Sequence, residues 1–195
     1  QCAGSYSSTN GNLGLLIILG WQVPYGMIWW HQAQFALWGH PELLDRTLAW
    51  YHQAEPVARE IAKRQGFEGI RWMKMTDPSG MEALNVELPY LAAATLIYLA
   101  ELLYRANPSD ELIKEYNDLI QKTAEFMYSF AVYDKENDRY ILKGAIPAQE
   151  TLRAADTVNP PFEIVNWLFG MQTAQTWRER AGMERVPEWD TLIEK

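Results

Sequence analysis

Apolar residues recur at helical spacing along most of this chain, and glycine and proline cut the pattern into discrete helices. From Ser109 the sequence places Ile113, Tyr116, Ile120, Ala124 and Met127 on one face. Ser-Asp-Glu-Leu supplies that helix with a cap and early acids. Met27–Leu37 is expected to form a short Trp-rich helix closed by Gly39. Pro41 suits the first turn of the next, which runs toward Gln65 with Gly66 as its stop. Pro56 is expected to kink or interrupt it. Leu91–Arg105 reads as a strongly apolar helix, and Phe162–Arg180 as the last long one, with Gly182 after it. Between them, Ile70–Met75 reads as extended and Thr76–Gly80 as a turn. A polar turn over Lys135–Asp138 separates two strand-like pieces, a short β-hairpin near 133–142. Long helices therefore come in pairs joined by loops. That pattern fits an all-α array of hairpins, a simple bundle or an (α/α) toroid. The pairs differ in sequence, which argues against a regular solenoid.

The 195 residues suffice for one domain with a real core. A net charge of −8 argues against nucleic acid as a partner, because phosphate binding needs a basic surface. A single cysteine, Cys2, excludes an intrachain disulfide framework, and His31, His40 and His52 lack metal-ligand spacing. Neither a metal nor another cofactor is implied. Leu13–Trp21 is apolar but far short of the ~20 residues a membrane span needs, so no membrane partner is expected. The first residue is Gln, so the chain is expected to begin inside a longer protein. The unusual number is aromatic: 9 Trp and 10 Tyr against 6 Phe. Such side chains pack helical cores, and flat indoles also stack on the apolar faces of sugar rings.

Two carboxylates stand out. Glu150 ends Ile-Pro-Ala-Gln-Glu, where proline and small residues can hold a loop close to a ligand. Glu163 falls in Asn-Pro-Pro-Phe-Glu, where an acid in the first turn interacts favourably with the helix dipole. Asn159 is expected to cap that helix, with Pro160 in its first position.

Several segments together resemble bacterial six-hairpin glycosidases of the glycoside hydrolase family 65 and 95-like group. They are Trp29–Leu44, Ala58–Gly80, Ile97–Ser109 and Ile146–Gly170, continued by Trp177–Gly182, about three quarters of the chain. The resemblance implies an (α/α)6 barrel with its sugar site at one end of the inner helices, acting in carbohydrate metabolism. Full proteins of this type are several times longer and place a β-sandwich domain before the barrel. Residues 1–195 then read as one partial barrel domain, with 1–26 irregular. The rest of the barrel and the β-sandwich are its expected partners, besides a carbohydrate substrate. A periplasmic or extracellular location suits the family, although the sequence carries no targeting signal for either.

Two departures interrupt the resemblance. Where the family pattern reads Thr-Tyr-Asn-Ser-Trp-Tyr-Gly-Lys-Phe-His, this chain has Leu13–Met27; where it reads Trp-Gln-Gln-Pro-His-Pro, this chain has Leu91–Leu96. Leu-Ala-Ala-Ala-Thr-Leu written CTG GCA GCA GCC ACA TTG and read one base later gives Trp-Gln-Gln-Pro-His. Leu16–Gly20 written CTT ATA ATT CTT GGT contains Tyr-Asn-Ser-Trp, and Trp21–Pro24 written TGG CAA GTT CCA contains Gly-Lys-Phe. Our hypothesis is that both departures are local compensated frameshifts; codons unable to yield those words in a shifted frame would exclude it.

Inverting cleavage of a glycosidic bond needs a protonated acid and a base for water, about 6.5–9.5 Å apart. By resemblance Glu150 is the general acid. Gln149, Glu163, Asp77, Trp72 and Trp167 are candidate sugar contacts, as are Trp29, Trp30 and His31. The last three are consecutive on one helix and cannot all face one side. Arg71 and Lys74 are placed to pair with Asp77 and Glu82. The base is expected in sequence downstream of this chain: Asp156 lies too close to Glu150, and Asp190 reads as a surface helix start. The isolated chain is accordingly expected to be inactive. No Gly-rich phosphate loop or basic cluster is evident, which favours hydrolysis over phosphorolysis. A non-catalytic sugar- or protein-binding module and a damaged, inactive gene product are the alternatives.

Overall fold

The computed structural model describes residues 25–73, 76, 79–81, 93–145 and 154–195, without the side chains of 25–28, 30, 31 and 154. The helices are α1 (Tyr25–Leu37), α2 (Pro41–Arg64), α3 (Ala93–Ala106), α4 (Asp110–Phe130), α5 (Pro161–Arg180) and α6 (Pro187–Glu194). A two-stranded antiparallel hairpin, β1 (Val132–Asp134) with β2 (Arg139–Ile141), lies between α4 and α5, and Ala154–Asp156 form a 3-10 turn.

The expected punctuation is realised in hydrogen bonds. Ser109 caps α4 by accepting from Leu112 N at 3.2 Å. After α2, Gly66 adopts a positive φ of 82°, so Phe67 N reaches Ala62 O at 2.9 Å and Gly66 N reaches Lys63 O at 3.0 Å. This paired C-cap satisfies carbonyls that the helix end would leave orphaned. Gly182 repeats it after α5, with Met183 N bonded to Arg178 O at 2.8 Å. Two expectations need correction. Helix α2 runs through Pro56 without a break. Asn159 does not cap α5: Pro160 holds the N-cap position, and the Asn159 amide oxygen accepts from Leu142 N at 2.7 Å instead.

Side-chain pairings fix the helix directions. Ala94 lies against Gly170, Tyr98 against Phe169, and Glu101 bonds Trp177 and Arg180, so α3 and α5 run parallel. Tyr116 bonds Asp45 and Lys122 bonds Glu55, so α2 and α4 are parallel. Met127 meets Trp167, Gln121 meets Ala174 and Asn117 meets Met183, which makes α4 antiparallel to α5. A turn over 38–40 folds α2 back on α1, locked by Thr47 donating to Gln32 Oε1 at 2.9 Å. The result is two layers of hairpins. One row holds α1, α3 and α5, all pointing the same way; the other holds α2 and α4, pointing back. Helix α3 is flanked by α1 and α5 within its row.

The core fills the space between the rows. Leu44, Leu48 and Tyr51 of α2, Leu96, Leu99 and Leu103 of α3, Ile120 and Met127 of α4, and Met171 and Ala174 of α5 are all buried there. Each such large apolar side chain contributes on the order of 1.5–3 kcal/mol by burial. Gly170 permits a close approach of α5 to α4: a Cβ there would come within 2.7 Å of Met127 Cε. Helices α3 and α5 are also tied within their row at the far end, where the buried Glu101 carboxylate accepts from Trp177 Nε1 at 2.8 Å, Arg180 Nη1 at 2.6 Å and Arg105 Nε at 2.7 Å. Burial by itself raises the Glu101 pKa, but these donors together outweigh it and hold the carboxyl below its ordinary value.

Candidate functional site

The parallel row puts the N-termini of α1, α3 and α5 at one end of the molecule. The long connections arrive at the same end. Gly80 sits against Ala54 and Val57 in the later turns of α2, and the β-hairpin follows the C-terminus of α4. Asp77 belongs to the first connection and Gln149 and Glu150 to the second; all three lie outside the described residues. The stem that carries Gln149 and Glu150 is well defined. Lys143 and Val158 form an antiparallel bridge, Gly144 N donates to Thr157 O at 2.9 Å, and Asn159 N donates to Leu142 O at 3.1 Å. Asn159 takes a positive φ of 51°, a conformation asparagine tolerates better than most residues, and its backbone then enters α5. The residues either side of this segment, Leu142–Gly144 and Thr157–Asn159, are therefore tied together where the chain enters α5.

Glu163 occupies that first turn. Its side chain is buried, with 1% of its surface exposed, and neither carboxylate oxygen has a hydrogen-bond partner among the described residues. Burial pushes its pKa up to about 9. Burial, not a charged neighbour, is the cause, and it favours the protonated carboxyl, against the pull of the helix dipole toward ionisation. Glu163 shares a helix face with Trp167, Gly170 and Ala174, the face packed on α3 and α4. It is aimed into the layer contact rather than along the open side of the row.

The tryptophans divide. Trp72 is 3% exposed, edge-on to Tyr51 at 4.8 Å, with its indole N–H donated to Thr123 Oγ1 at 3.0 Å. Trp167 is equally buried and donates to Met127 O at 2.9 Å. Both are core residues whose polar handle is already satisfied. Trp29 differs. It is half-buried and packs on Tyr98 with ring centroids 4.0 Å apart, and Tyr98 in turn meets Phe169 at 5.6 Å. The side chains of Trp30 and His31 lie outside the described residues. Arg71 is buried, bonds Gln65 and lies over the Phe126 ring at 5.9 Å. Asp156 is exposed, and Asp190 starts the surface helix α6, paired with Arg185.

Tyr98 and Phe169 escaped the sequence reading because each sits in a run that scans as apolar helix. A signal was present: Tyr98 lies about 100° around α3 from Leu99, off the Leu96–Leu99–Leu103 stripe that is buried in the core. Among the described residues, no group of three His, Cys, Asp or Glu side chains could hold a metal ion, and no helix is long and apolar enough to cross a membrane.

No family model matches the chain, and no curated protein matches it. A solved structure from the human microbiome, provisionally named a kojibiose phosphorylase, is similar in fold with a TM-score of 0.67 at 11% sequence identity. The match covers 80% of this chain and 25% of that one, so this chain spans about a quarter of that protein's length. The architecture is a partial (α/α)6 toroid of helical hairpins with a short β-hairpin. Helices α1, α3 and α5 form one row of it, with their N-termini at the same end.

Proposed function

We propose that this chain is part of the catalytic barrel of an enzyme that cleaves glycosidic bonds, that α1, α3 and α5 are its inner row, and that the reacting end is the mouth at their N-termini. One observation carries the reading: the clamped stem formed by 142–144 and 157–159 leads straight into the first turn of α5, where the Glu163 carboxyl is buried. Glu150 is the proton donor to the leaving oxygen. Glu163, neutral and facing the layer contact, serves as a positioning residue: a protonated carboxyl can donate one hydrogen bond and accept others without adding charge. Gln149 and Asp77 offer hydrogen bonds to sugar hydroxyls at the same end. The attacking group and its base belong to the part of the ring outside this chain, along with the β-sandwich domain, so the isolated chain does not turn over substrate.

The structural neighbour's name points to phosphorolysis. Arg71, which enters the 70–80 connection, is buried, bonded to Gln65 and stacked on Phe126, so it offers no phosphate clamp. Water is therefore the favoured attacking group. The test is Glu150→Gln in a homologous chain long enough to complete the ring. Loss of an acid of this kind typically slows turnover by about 10²–10⁴-fold. The loss should be large on natural linkages and small on aryl glycosides, whose leaving groups need little protonation. Equal turnover of both proteins on both substrates would remove Glu150 from the mechanism.

A further inference from the structure

The row of α1, α3 and α5 has two outer edges, and both lack charge. Helix α1 holds no Asp, Glu, Lys or Arg in its 13 residues, in a chain whose net charge is −8. A helix without charge on any side is built to be covered on most of them, and its principal neighbours are α2 and α3. Gln32 bonds Thr47 of α2, and Trp29 packs on Tyr98 of α3. Trp38 continues the last turn of α1, its backbone N–H donated to Gln34 O at 2.9 Å, and falls about 180° around the axis from Trp29. It is 73% exposed, on the side away from α3. At the other edge, Val165 lies about 140° around α5 from Gly170, which meets Ala94 of α3. Val165, Leu168 and Gln172 follow one another at helical spacing there, all exposed and all uncharged.

The packing also supplies a count. Helix α6 folds back along α5: Gln175 donates to Asp190 Oδ1 at 3.0 Å, and Trp167 lines one cavity with Leu192 and Ile193. The described helices are therefore three hairpins, α1 with α2, α3 with α4 and α5 with α6, half of an (α/α)6 toroid. The first helices of the three begin at Tyr25, Ala93 and Pro161, at equal intervals along the chain, and run parallel. A two-fold axis parallel to the row keeps those directions and brings the α5 edge of each copy against the α1 edge of the other. The operation closes after two copies and leaves no edge for further addition. A second copy thus fits both edges at once. It offers a parallel helix of the same kind at each junction, and the negative charge of the two chains lies away from both contacts.

We propose that two copies of this chain close on one another into one six-hairpin ring. Val165 and Leu168 of each copy seat against the first turns of α1 of the other, and the end of α5 covers Trp38. One copy then carries three of the six inner-helix N-termini around the mouth, and the second copy supplies the rest. This names the partner that completes the proposed site, and it rests on that reading only for the site's purpose; association is measurable without cleavage.

Size-exclusion chromatography with light scattering, across micromolar concentrations, reads the mass of the 195-residue chain in solution. The expected species is a dimer of twice the 22.5 kDa chain mass. Val165→Glu and Trp38→Glu each put a charge on one edge, and circular dichroism verifies that both variants fold. Each should weaken the dimer about tenfold. An equimolar mixture of the two variants is the decisive arm. A mixed dimer has one junction with both charges and one with neither, so the mixture should associate more tightly than either variant alone. A monomer at every concentration overturns the proposal, as does an open series of larger species. A dimer weakened by Val165→Glu but indifferent to Trp38→Glu also overturns it, because α5 would then be pairing with α5. A mixture no tighter than its components does the same. Glu150→Gln should leave the dimer intact; a homologue that keeps full activity with that substitution would sink the catalytic reading and leave the ring standing.

Discussion

Replacing Glu163 with glutamine tests the site's electrostatics without removing bulk. The carboxyl titrates near its ordinary 4.5 when unfolded and near 9 when folded. Below the lower value both states are protonated, and the group has no differential effect. Between the two values the native state holds a proton that the unfolded chain has released. Stability is therefore full in acid and declines as pH rises through this window, by about 1.4 kcal/mol per pH unit. From pH 4.5 to 8 the ceiling is about 5 kcal/mol. Local relaxation and water entry reduce such penalties, so an observable effect of about 2 kcal/mol is expected. Glutamine has the same shape and does not titrate. The variant should match the wild type within about 1 kcal/mol near pH 4.5 and exceed it by about 2 kcal/mol near pH 8. For a chain of this size that is about 4–8 °C in melting temperature. Urea unfolding followed by tryptophan fluorescence at several pH values supplies the measurement. Parallel profiles for the two proteins would show that Glu163 is ionised and solvated in the folded chain, and the argument built on its burial would fail.

Other expectations concern the frame around the site. Gly69 has φ +66°, and a Cβ there would collide with the Lys122 carbonyl and come within 2.6 Å of Phe126 N; Gly69→Ala should cost about 2–4 kcal/mol in chemical unfolding. Glu101→Ala strands the Arg180 guanidinium and the buried Trp177 N–H, for a loss of about 3 kcal/mol. Because the native Glu101 pKa lies below its ordinary value, its stabilising share is present above about pH 4.5 and disappears on acidification, so wild type and variant should converge in acid. Ser109→Ala removes the cap on α4 and should lower stability by about 1 kcal/mol in the same assay. Phe162 and Val165 at the start of α5 are 58% and 66% exposed, an apolar edge where the next hairpin of a full ring would add. Val165→Glu should reduce concentration-dependent association in light scattering while leaving the melting temperature unchanged.

The helices and their ends were legible in the sequence because local chemistry decides them. Ser109, Gly66 and Gly182 act within a few residues, and the periodic stripe of α4 names its own buried face. Pro56 does not interrupt α2, because a proline near the middle of a long helix can be carried by packing on both sides, here Ala54 and Ala58 in the core. The state of Glu163 was not legible. Its place in the first turn says the dipole favours ionisation; only the packing of α5 on α3 and α4 shows that water is gone. Trp72 and Trp167 illustrate the same limit. An indole scans alike whether it stacks on a sugar or donates to Thr123 or Met127, and the difference lies in contacts between segments far apart in the chain. Tyr98 and Phe169 meet across more than seventy positions for the same reason.

The most direct test of where this molecule works is a backbone amide NMR titration of the chain with a disaccharide. Shifts should cluster where the inner helices begin, around residues 25–29, 93–98 and 161–169, and spare the opposite ends near Leu37, Ala106 and Arg180. Perturbations confined to those opposite ends would contradict the placement of the sugar at the mouth.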